Sequence, residues 1–432
     1  MSDFGTPTPL AEIEQRVQQR AKDEALDLDD ATTEATLRVL VEQEIGQWND
    51  DFRRGVRAFP LSDADLVGER AMRNLTGYGP LGPLLADDDV WEVMINAPDA
   101  IFVKRHQGPS GYHHEVFHDD EHVVRTLTKI LDDASTAHRK LDPSEGLQDA
   151  QLDDGARLHI VHGDVARGGH VMVNIRKFTG VAFRSLDELV DRAMLTAGAA
   201  AFLRSCVQAR QTIVFAGAPG AGKTTMLNCC AAELDPSLRV VVAEEVFEAD
   251  IPLPNVASMQ TRAPRADRPE VDLRRLVAGF LRMAPDVAIV GEVRDREALP
   301  LLLTLSSGVK GFTTIHAGSA RQALTRLRFI CQLSDRSNEL PMSALNSLVS
   351  EAVDIVVHCV RTPVGPRVGS IICVEDNTAG AESTAFTATE VFVRDPATDR
   401  LVWTGNVPSR ATQAFADAGL DIRAVLDPEA SP

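Results

Sequence analysis

An α/β fold built on a parallel sheet is predicted, and three observations predict it. The nine residues GAPGAGKTT, Gly217 to Thr225, fill every required position of a phosphate-binding P-loop. The loop stands between QTIVFA (Gln211 to Ala216), which reads as a buried strand, and TMLNCCAAEL (Thr225 to Leu234), which reads as a helix. Beyond it, apolar runs alternate with helical stretches: LRVVVAE (Leu238 to Glu244), DVAIVGE (Asp286 to Glu292) and GFTTIH (Gly311 to His316). Such alternation places a parallel sheet between helices on both faces.

Strand, glycine loop and helix N-terminus is the context in which this motif binds phosphate. Backbone N–H groups along Gly217, Ala218, Pro219, Gly220, Ala221 and Gly222, with the positive end of the helix, suit a β-phosphate, and Lys223 adds a formal charge. Thr224 supplies a hydroxyl to Mg²⁺, and Thr225 closes the motif. A glycine turn that binds nothing has no need of Gly, Lys and Thr in this register. Pro219 stiffens the loop.

At 432 residues the chain is too long for one ordinary core, so two or three domains are expected. Lys and Arg total 44 against 63 for Asp and Glu, a net charge of −19, which disfavours a protein that coats nucleic acid. There is no apolar run long enough to span a bilayer, and MSDFGTPTPL does not read as a signal peptide. The six cysteines have no paired metal spacing and read as reduced core thiols of a cytoplasmic protein.

Five segments are expected. Residues 1–75 form a polar helical leader, with a heptad-like pattern in LRVLVEQEIGQW (Leu37 to Trp48). Residues 76–178 form a small α/β domain: alternating strands Val90 to Asn96 and Ala100 to Arg105, a helix near His122 to Ala134, then strands Ala156 to Gly163 and His170 to Phe178. Residues 179–195 form a linker in which Ser185 and Glu188 spell a capping box. The P-loop domain occupies 196–360. A tail, 361–432, carries a hairpin over Glu390 to Trp403 turning at Asp395 to Asp399, and its last thirty or so residues read as weakly structured.

Titratable residues sit where the P-loop domain's strands end, which in an open parallel sheet is the ligand crevice. Glu244 and Glu245 close one strand, with Glu248 a turn later; Glu292 closes the next and His316 the third. Phosphoryl transfer to water needs a carboxylate to orient or deprotonate the water and an acidic group for Mg²⁺ or its waters. His316 alone reads equally as a hydrogen-bonded structural histidine. Cations to neutralise the transferred phosphoryl are Arg282, Arg294, Arg157 and Arg176, though the usual fate of an arginine is a solvated surface.

These motifs resemble the secretion and pilus-assembly ATPase superfamily, the motors of type II and type IV secretion and type IV pili. The branch most similar is the CpaF-like ATPases of tight-adherence (Flp) pili. The likeness runs from about Tyr78 to Val360: the P-loop, an acidic box VVAEEVFE (Val241 to Glu248), LRMAPDVAIVGEVRD (Leu281 to Asp295) and a histidine box TTIHAGSARQALTRL (Thr313 to Leu327). In the N-terminal part it includes Asp89 to Arg105, LDDGARL (Leu152 to Leu158) and NIRKF (Asn174 to Phe178).

The resemblance implies a PAS-like N-terminal domain linked to a RecA-like motor, ringed as a homo-hexamer with ATP near subunit boundaries. It implies that Lys223 and Thr224 hold the β/γ-phosphates and Mg²⁺, that Glu244, Glu245 and Glu248 orient water and metal, and that Glu292 is the Walker B glutamate. His316 would be a γ-phosphate or interdomain sensor, and Arg157 and Arg176 would reach ATP when the domains close. The partner implied is an inner-membrane platform, which puts the protein at the cytoplasmic face of that membrane. The sequence departs from the family in Glu244-Glu245 for Glu-Asp, in Val246-Phe247 for small residues and in Val309 for a histidine. Gly291 stands where a standard Walker B has aspartate, which passes the Mg²⁺ contact to the acidic box or to water.

Other classes fit less well. No Asn-Lys pair exists for guanine recognition, and the one near match to an ABC signature, LSSGV (Leu305 to Val309), follows the Walker B strand instead of preceding it. A RecA-like nucleic-acid motor for conjugation would show a basic, aromatic-bearing channel; aromatics here are 5%. A scaffold that holds ATP with little turnover is countered by Glu292 and the intact acidic box.

Overall fold

The computed structural model describes residues 8–26, 33–105, 108–134, 140–177, 183–262, 269–334, 340–376 and 385–427. The chain divides into two compact units, Met1–Thr179 and Gly180–Pro432.

The first unit opens with helices α1 (Pro9–Asp23), α2 (Glu34–Arg53) and α3 (Ala64–Thr76). Thr8 caps α1 by accepting the Ala11 N–H, with Pro9 at the first helical position, and Asp63 caps α3 through the Leu66 N–H. The heptad-like spacing in α2 is real: Leu37, Leu40, Val41, Ile45 and Trp48 are buried against Ile13, Val17 and Ala21 of α1 and Ala71, Met72 and Leu75 of α3. The leader therefore has a core of its own. Its buried Glu14 is compensated by Nδ2 of Asn74 at 2.7 Å and Nε2 of His118 at 2.9 Å.

Helix α4 (Leu81–Ala86) then leads into strands β1 (Val90–Ala97), β2 (Ala100–Arg105) and β3 (Gly111–Tyr112), helix α5 (Asp120–Asp133), and strands β4 (Leu147–Gln151), β5 (Arg157–Val161) and β6 (Met172–Arg176). The strands form one sheet in the order β3-β2-β1-β6-β5-β4, every pairing antiparallel. Period-two alternation turns Val93, Ile95, Leu158, Ile160, Val173 and Ile175 to one face, where Val123, Leu127, Ile130 and Leu131 of α5 cover them. Asp119 caps α5 by accepting the His122 N–H at 2.8 Å.

His122 itself is buried. Its Nδ1 accepts from the His118 N–H at 3.4 Å, while its Nε2 has no hydrogen-bond partner among the described residues. Burial, and then the charges of Arg125 and His118, push its pKa down to about 3. The unfolded chain protonates this ring near 6.5 and the folded one does not, so stability falls as pH drops from about 6.5 toward 3, by at most about 1.4 kcal/mol per unit. Between pH 7 and pH 5 the His122→Leu variant is expected to lose about 2 kcal/mol less stability than the parent. Urea unfolding read by tryptophan fluorescence checks this; equal losses would contradict it.

The second unit begins with α6 (Leu186–Asp191), capped as predicted by Ser185, whose Oγ accepts the Glu188 N–H, while Oε2 of Glu188 reaches back to the Arg184 N–H, one residue before the cap. Leu186, Leu189, Met194 and Leu195 are buried in this unit's core, so the described part of the expected linker is an integral piece of the unit. Residues 179–182 of that region lie outside the described residues.

In chain order come α7 (Ala197–Gln208), β7 (Ile213–Gly217), α8 (Lys223–Ala231), β8 (Val240–Glu244), β9 (Val256–Gln260), α9 (Leu273–Ala278), β10 (Val287–Val293), α10 (Ala298–Ser306), β11 (Lys310–Ile315), α11 (Ala320–Ser334) and α12 (Met342–Ala352). The chain continues through β12 (Ile355–Thr362), β13 (Gly365–Val374), β14 (Ala388–Asp395), β15 (Arg400–Trp403), α13 (Ser409–Asp417) and α14 (Ile422–Leu426). One sheet has the order β15-β14-β13-β12-β7-β11-β10-β8-β9. The six strands from β12 to β9 are parallel, and β13, β14 and β15 add on antiparallel. Side chains of β7 alternate between two cores: Ile213 and Phe215 join Phe202 and Met226, while Val214 and Ala216 join Leu301, Leu324 and Val349.

The expected boundary at 360/361 falls inside β12, and the expectation of a weakly structured end is corrected. Residues 409–417 and 422–426 are helical, with Ala411, Phe415, Ile422 and Leu426 buried in the same core as β7. Residues 428–432 lie outside the described residues. Helix α13 has no side-chain cap of its own; Glu375, at the end of β13, takes the Ser409 and Arg410 N–H groups at 3.0 and 2.9 Å. Buried Asp354 takes Arg410 Nη2 at 2.6 Å. The Phe415 ring stacks on Phe202, centroids 5.9 Å apart. Phe415→Ala is expected to cost about 3–5 kcal/mol and lower the melting temperature by roughly 10 °C. An unchanged melting curve would return this segment to the status of a loose tail.

All six cysteines are buried and unbridged. Burial pushes the thiols of Cys229, Cys331 and Cys359 up to about 12, which keeps them unreactive. Among the described residues no helix is long and apolar enough to cross a membrane.

Candidate active site

The P-loop leaves the sheet at the tip of β7. Gly217 is required there because a Cβ would lie 2.3 Å from the Cys359 carbonyl oxygen on β12. Gly222, at φ +89°, starts α8, and a Cβ on it would come within 2.8 Å of Met194 Cε. The loop is thus a cradle of backbone alone, with Ala218 and Pro219 exposed at its rim and Ala221 buried beneath.

Lys223 is buried, with its Nζ donating to the Ala218 carbonyl at 3.1 Å and lying 3.2 Å from His316 Nδ1. From there a single chain of polar contacts crosses the strand tips in spatial order. His316, past the end of β11, brings Nε2 to 2.9 Å from Oε1 of Glu292 on β10. The other oxygen of Glu292 is 3.0 Å from Arg294 Nη2, and Arg294 Nη1 is 2.8 Å from Glu245 beyond β8.

Charge sets the protonation states along this chain. Burial raises the Glu292 carboxyl, but the hydrogen bond and charge of Arg294, with His316 and Lys223 behind it, outweigh burial and hold it below the usual range. Burial pushes His316 below its usual value; Glu292 pulls it up and Lys223 pushes it down again. His316 Nδ1 lies 3.2 Å from both Lys223 Nζ and the Gly217 carbonyl oxygen, so the ring is anchored to the P-loop strand as well as to its lysine. The Glu292 hydrogen bond raises Arg294 further. Glu292 is held as an anion beside Arg294, with the His316 ring between it and Lys223.

The acidic box divides its labour. Glu244 is almost fully buried, and its Oε1 accepts the N–H groups of Glu248 and Ala249 at 3.1 and 3.0 Å, holding the turn after β8. Its side chain also explains Gly291: a Cβ there would lie 2.9 Å from Glu244 Cγ, so the Walker B position has no room for aspartate. Glu248 is the carboxylate at the Thr224 hydroxyl, Oε2 to Oγ1 3.5 Å, whereas Glu245 is held by Arg294. Of the box's carboxylates, Glu248 is the one within reach of the Thr224 hydroxyl.

Not every expected residue joins the site. Arg282 is exposed on the turn before β10, at the opposite edge of the sheet from the strand tips. Arg157 and Arg176 belong to the first unit, where they stand directly opposite each other on β5 and β6 and Glu92 stands opposite Arg176. Arg361 went unnoticed in the sequence; its Nη1 donates to the Gly220 carbonyl of the P-loop at 3.1 Å. Only the register of β12 beside β7 could have found it.

A P-loop on the sheet's central parallel strands, with a lysine, a threonine hydroxyl and a glutamate from the neighbouring tips converging on it, is the site of a P-loop ATPase. The chain belongs to the family described as Type II/IV secretion system protein, which matches residues 74–401, and it is an ATPase of that secretion class. It is 36% identical over 309 residues to a Sinorhizobium fredii protein named "Probable conjugal transfer protein TrbB", covering 67% of this chain and 85% of that one. It is 31% identical over 301 residues to the type IV secretion system protein PtlH of Bordetella pertussis, covering 64% and 87%. Among solved structures, the VirB11 ATPase of the Brucella suis type IV secretion system matches at 26% identity over 68% of this chain and 94% of that one, with a TM-score of 0.36.

Proposed function

We propose that the chain hydrolyses ATP with Mg²⁺ and, as a homo-hexameric ring, drives assembly of a Flp or type IV-like pilus, or type II/IV protein secretion, across the cytoplasmic membrane. The observation that carries the catalytic part is the unbroken chain Lys223–His316–Glu292–Arg294 across adjacent strand tips. Lys223 faces the β/γ-phosphates. Glu292, kept ionised by Arg294, is the group that accepts a proton from, or orients, the attacking water. His316 ties the two, so the occupancy of the loop is felt at the carboxylate.

Bound Mg²⁺ supplies charge neutralisation at the phosphate oxygens. The Thr224 hydroxyl and Glu248 suit it as a hard, oxygen-ligated ion, and Glu245 is the further acidic group of the box. Arg157 and Arg176 are the further cations proposed for the phosphates, on the family likeness of LDDGARL and NIRKF alone. The ring's partner is an inner-membrane platform protein, with the motor on the cytoplasmic side and peripheral to the membrane. The CpaF-like branch remains the finer family reading, supported by the N-terminal motif Asp89 to Arg105. Phosphate release by the purified chain, with Mg²⁺ and with EDTA in its place, tests the proposal: turnover is expected only with the metal, and its absence in both would leave an ATP-holding scaffold.

A second reading has support of its own, since the Sinorhizobium fredii relative is named for conjugal transfer. A conjugation motor of this kind powers transfer without gripping DNA, as the charge of −19 disfavours direct contact. Fluorescence anisotropy with single-stranded DNA at physiological salt is expected to show no binding; tight binding would favour a nucleic-acid motor.

A further inference from the structure

The catalytic reading uses the β11, β10 and β8 side of the P-loop and leaves the β12 side without a role. Strand β12 lies parallel to β7 with Cys359 opposite Gly217, and it then runs on through Val360, Arg361 and Thr362 alongside the loop. Arg361 is exposed, and its guanidinium touches the loop itself at the Gly220 carbonyl. Behind it the flank is firmly built. Met194 and Pro366 press on Gly222, the Val368 N–H donates to the Met194 carbonyl at 2.7 Å, and the Thr362 hydroxyl donates to the Gly365 carbonyl at 2.8 Å.

A nucleotide lying in the loop has two ends. Glu292, His316, Glu245 and Glu248 all come from one side of β7, so the γ-phosphate and the attacking water belong there. The nucleoside end then leaves on the β12 side, past Arg361. We propose that Arg361 is a nucleotide-binding residue that holds the phosphate oxygens at the nucleoside end, those shared by ATP and ADP. The inference rests on the ATPase reading given above. Exchanging a neutral carbonyl for a phosphate oxygen turns an ordinary hydrogen bond into a charge-assisted one, and the planar guanidinium suits phosphate geometry. Because ADP keeps these phosphates, Arg361 grips substrate and product alike, and its loss is felt in binding and not in the chemical step.

The test is titration calorimetry with ADP on the parent chain, Arg361→Ala and Arg361→Lys, beside steady-state ATP turnover. Arg361→Ala is expected to weaken ADP, and to raise KM for ATP, by about tenfold, with kcat at saturating ATP held within about twofold and partial recovery in Arg361→Lys. Unchanged ADP affinity in Arg361→Ala would overturn the assignment, as would a fall in kcat with binding intact, the mark of an arginine that only stiffens the loop. Should Arg361→Ala melt early, Arg361→Gln carries the same expectation. A parent chain that neither binds nor hydrolyses ATP would instead sink the ATPase reading, which keeps the two failures apart.

Discussion

Replacing Lys223 by alanine is expected to abolish ATP turnover and to reduce nucleotide binding below detection at millimolar concentration. The ammonium is buried beside the loop, held by the Ala218 carbonyl and His316, so it is already aimed where phosphate charge accumulates. Its removal deletes a formal charge from a site of low dielectric, where a charge-assisted contact counts for far more than at a surface. It also removes one of the two contacts at His316 Nδ1, leaving the one to the Gly217 carbonyl. A loss of at least about a thousandfold in kcat/KM is expected. A phosphate-release assay checks it, with the melting temperature of the nucleotide-free protein as the control for folding. Turnover within tenfold of the parent would show that the phosphates lie elsewhere.

Glu292→Gln is expected to behave differently. The amide has the same shape, so the contacts to Arg294 and His316 can be replaced by neutral ones, and the loop, Lys223 and Thr224 are untouched. Binding should persist. What disappears is the anion that receives or orients the water's proton, a contribution of about 10²–10⁴ in rate. The expected signature is a collapse of kcat with ATP affinity kept or improved, since one negative charge facing the γ-phosphate is gone. Parallel losses of kcat and affinity would mean that Glu292 is a structural pillar of the site.

How much of this was legible in the residues depends on the range of the interactions. Local signals read well: the P-loop between strand and helix, the Ser185 cap of α6, the heptad spacing of α2 and the hairpin of β14 and β15 are all set by neighbours a few residues apart. That the strand tips share one edge was also readable, because a parallel sheet puts every strand's C-terminal end there. Long-range pairings were not. Helix α13 looks weak by itself because its cap comes from Glu375, 34 positions away, and its anchor from Asp354. That Gly291 stands in the Walker B position was readable, but not that Glu244 fills the space beside it. Glu245 and Glu248 are three residues apart in an acidic run, and only the fold of the turn sends one to Arg294 and the other to Thr224. Arg361 sat in a stretch that looked like tail and is a neighbour of the loop only through the register of β12 on β7.

The central claim is that this P-loop grips a triphosphate and that Glu292 acts on it from the adjoining strand tip. Calorimetric titration of a non-hydrolysable ATP analogue with Mg²⁺ into the parent chain, Lys223→Ala and Glu292→Gln tests it most directly. The account predicts one site per chain in the parent and in Glu292→Gln, with no heat of binding in Lys223→Ala. Binding to Lys223→Ala as tight as to the parent, or none to the parent, would contradict it.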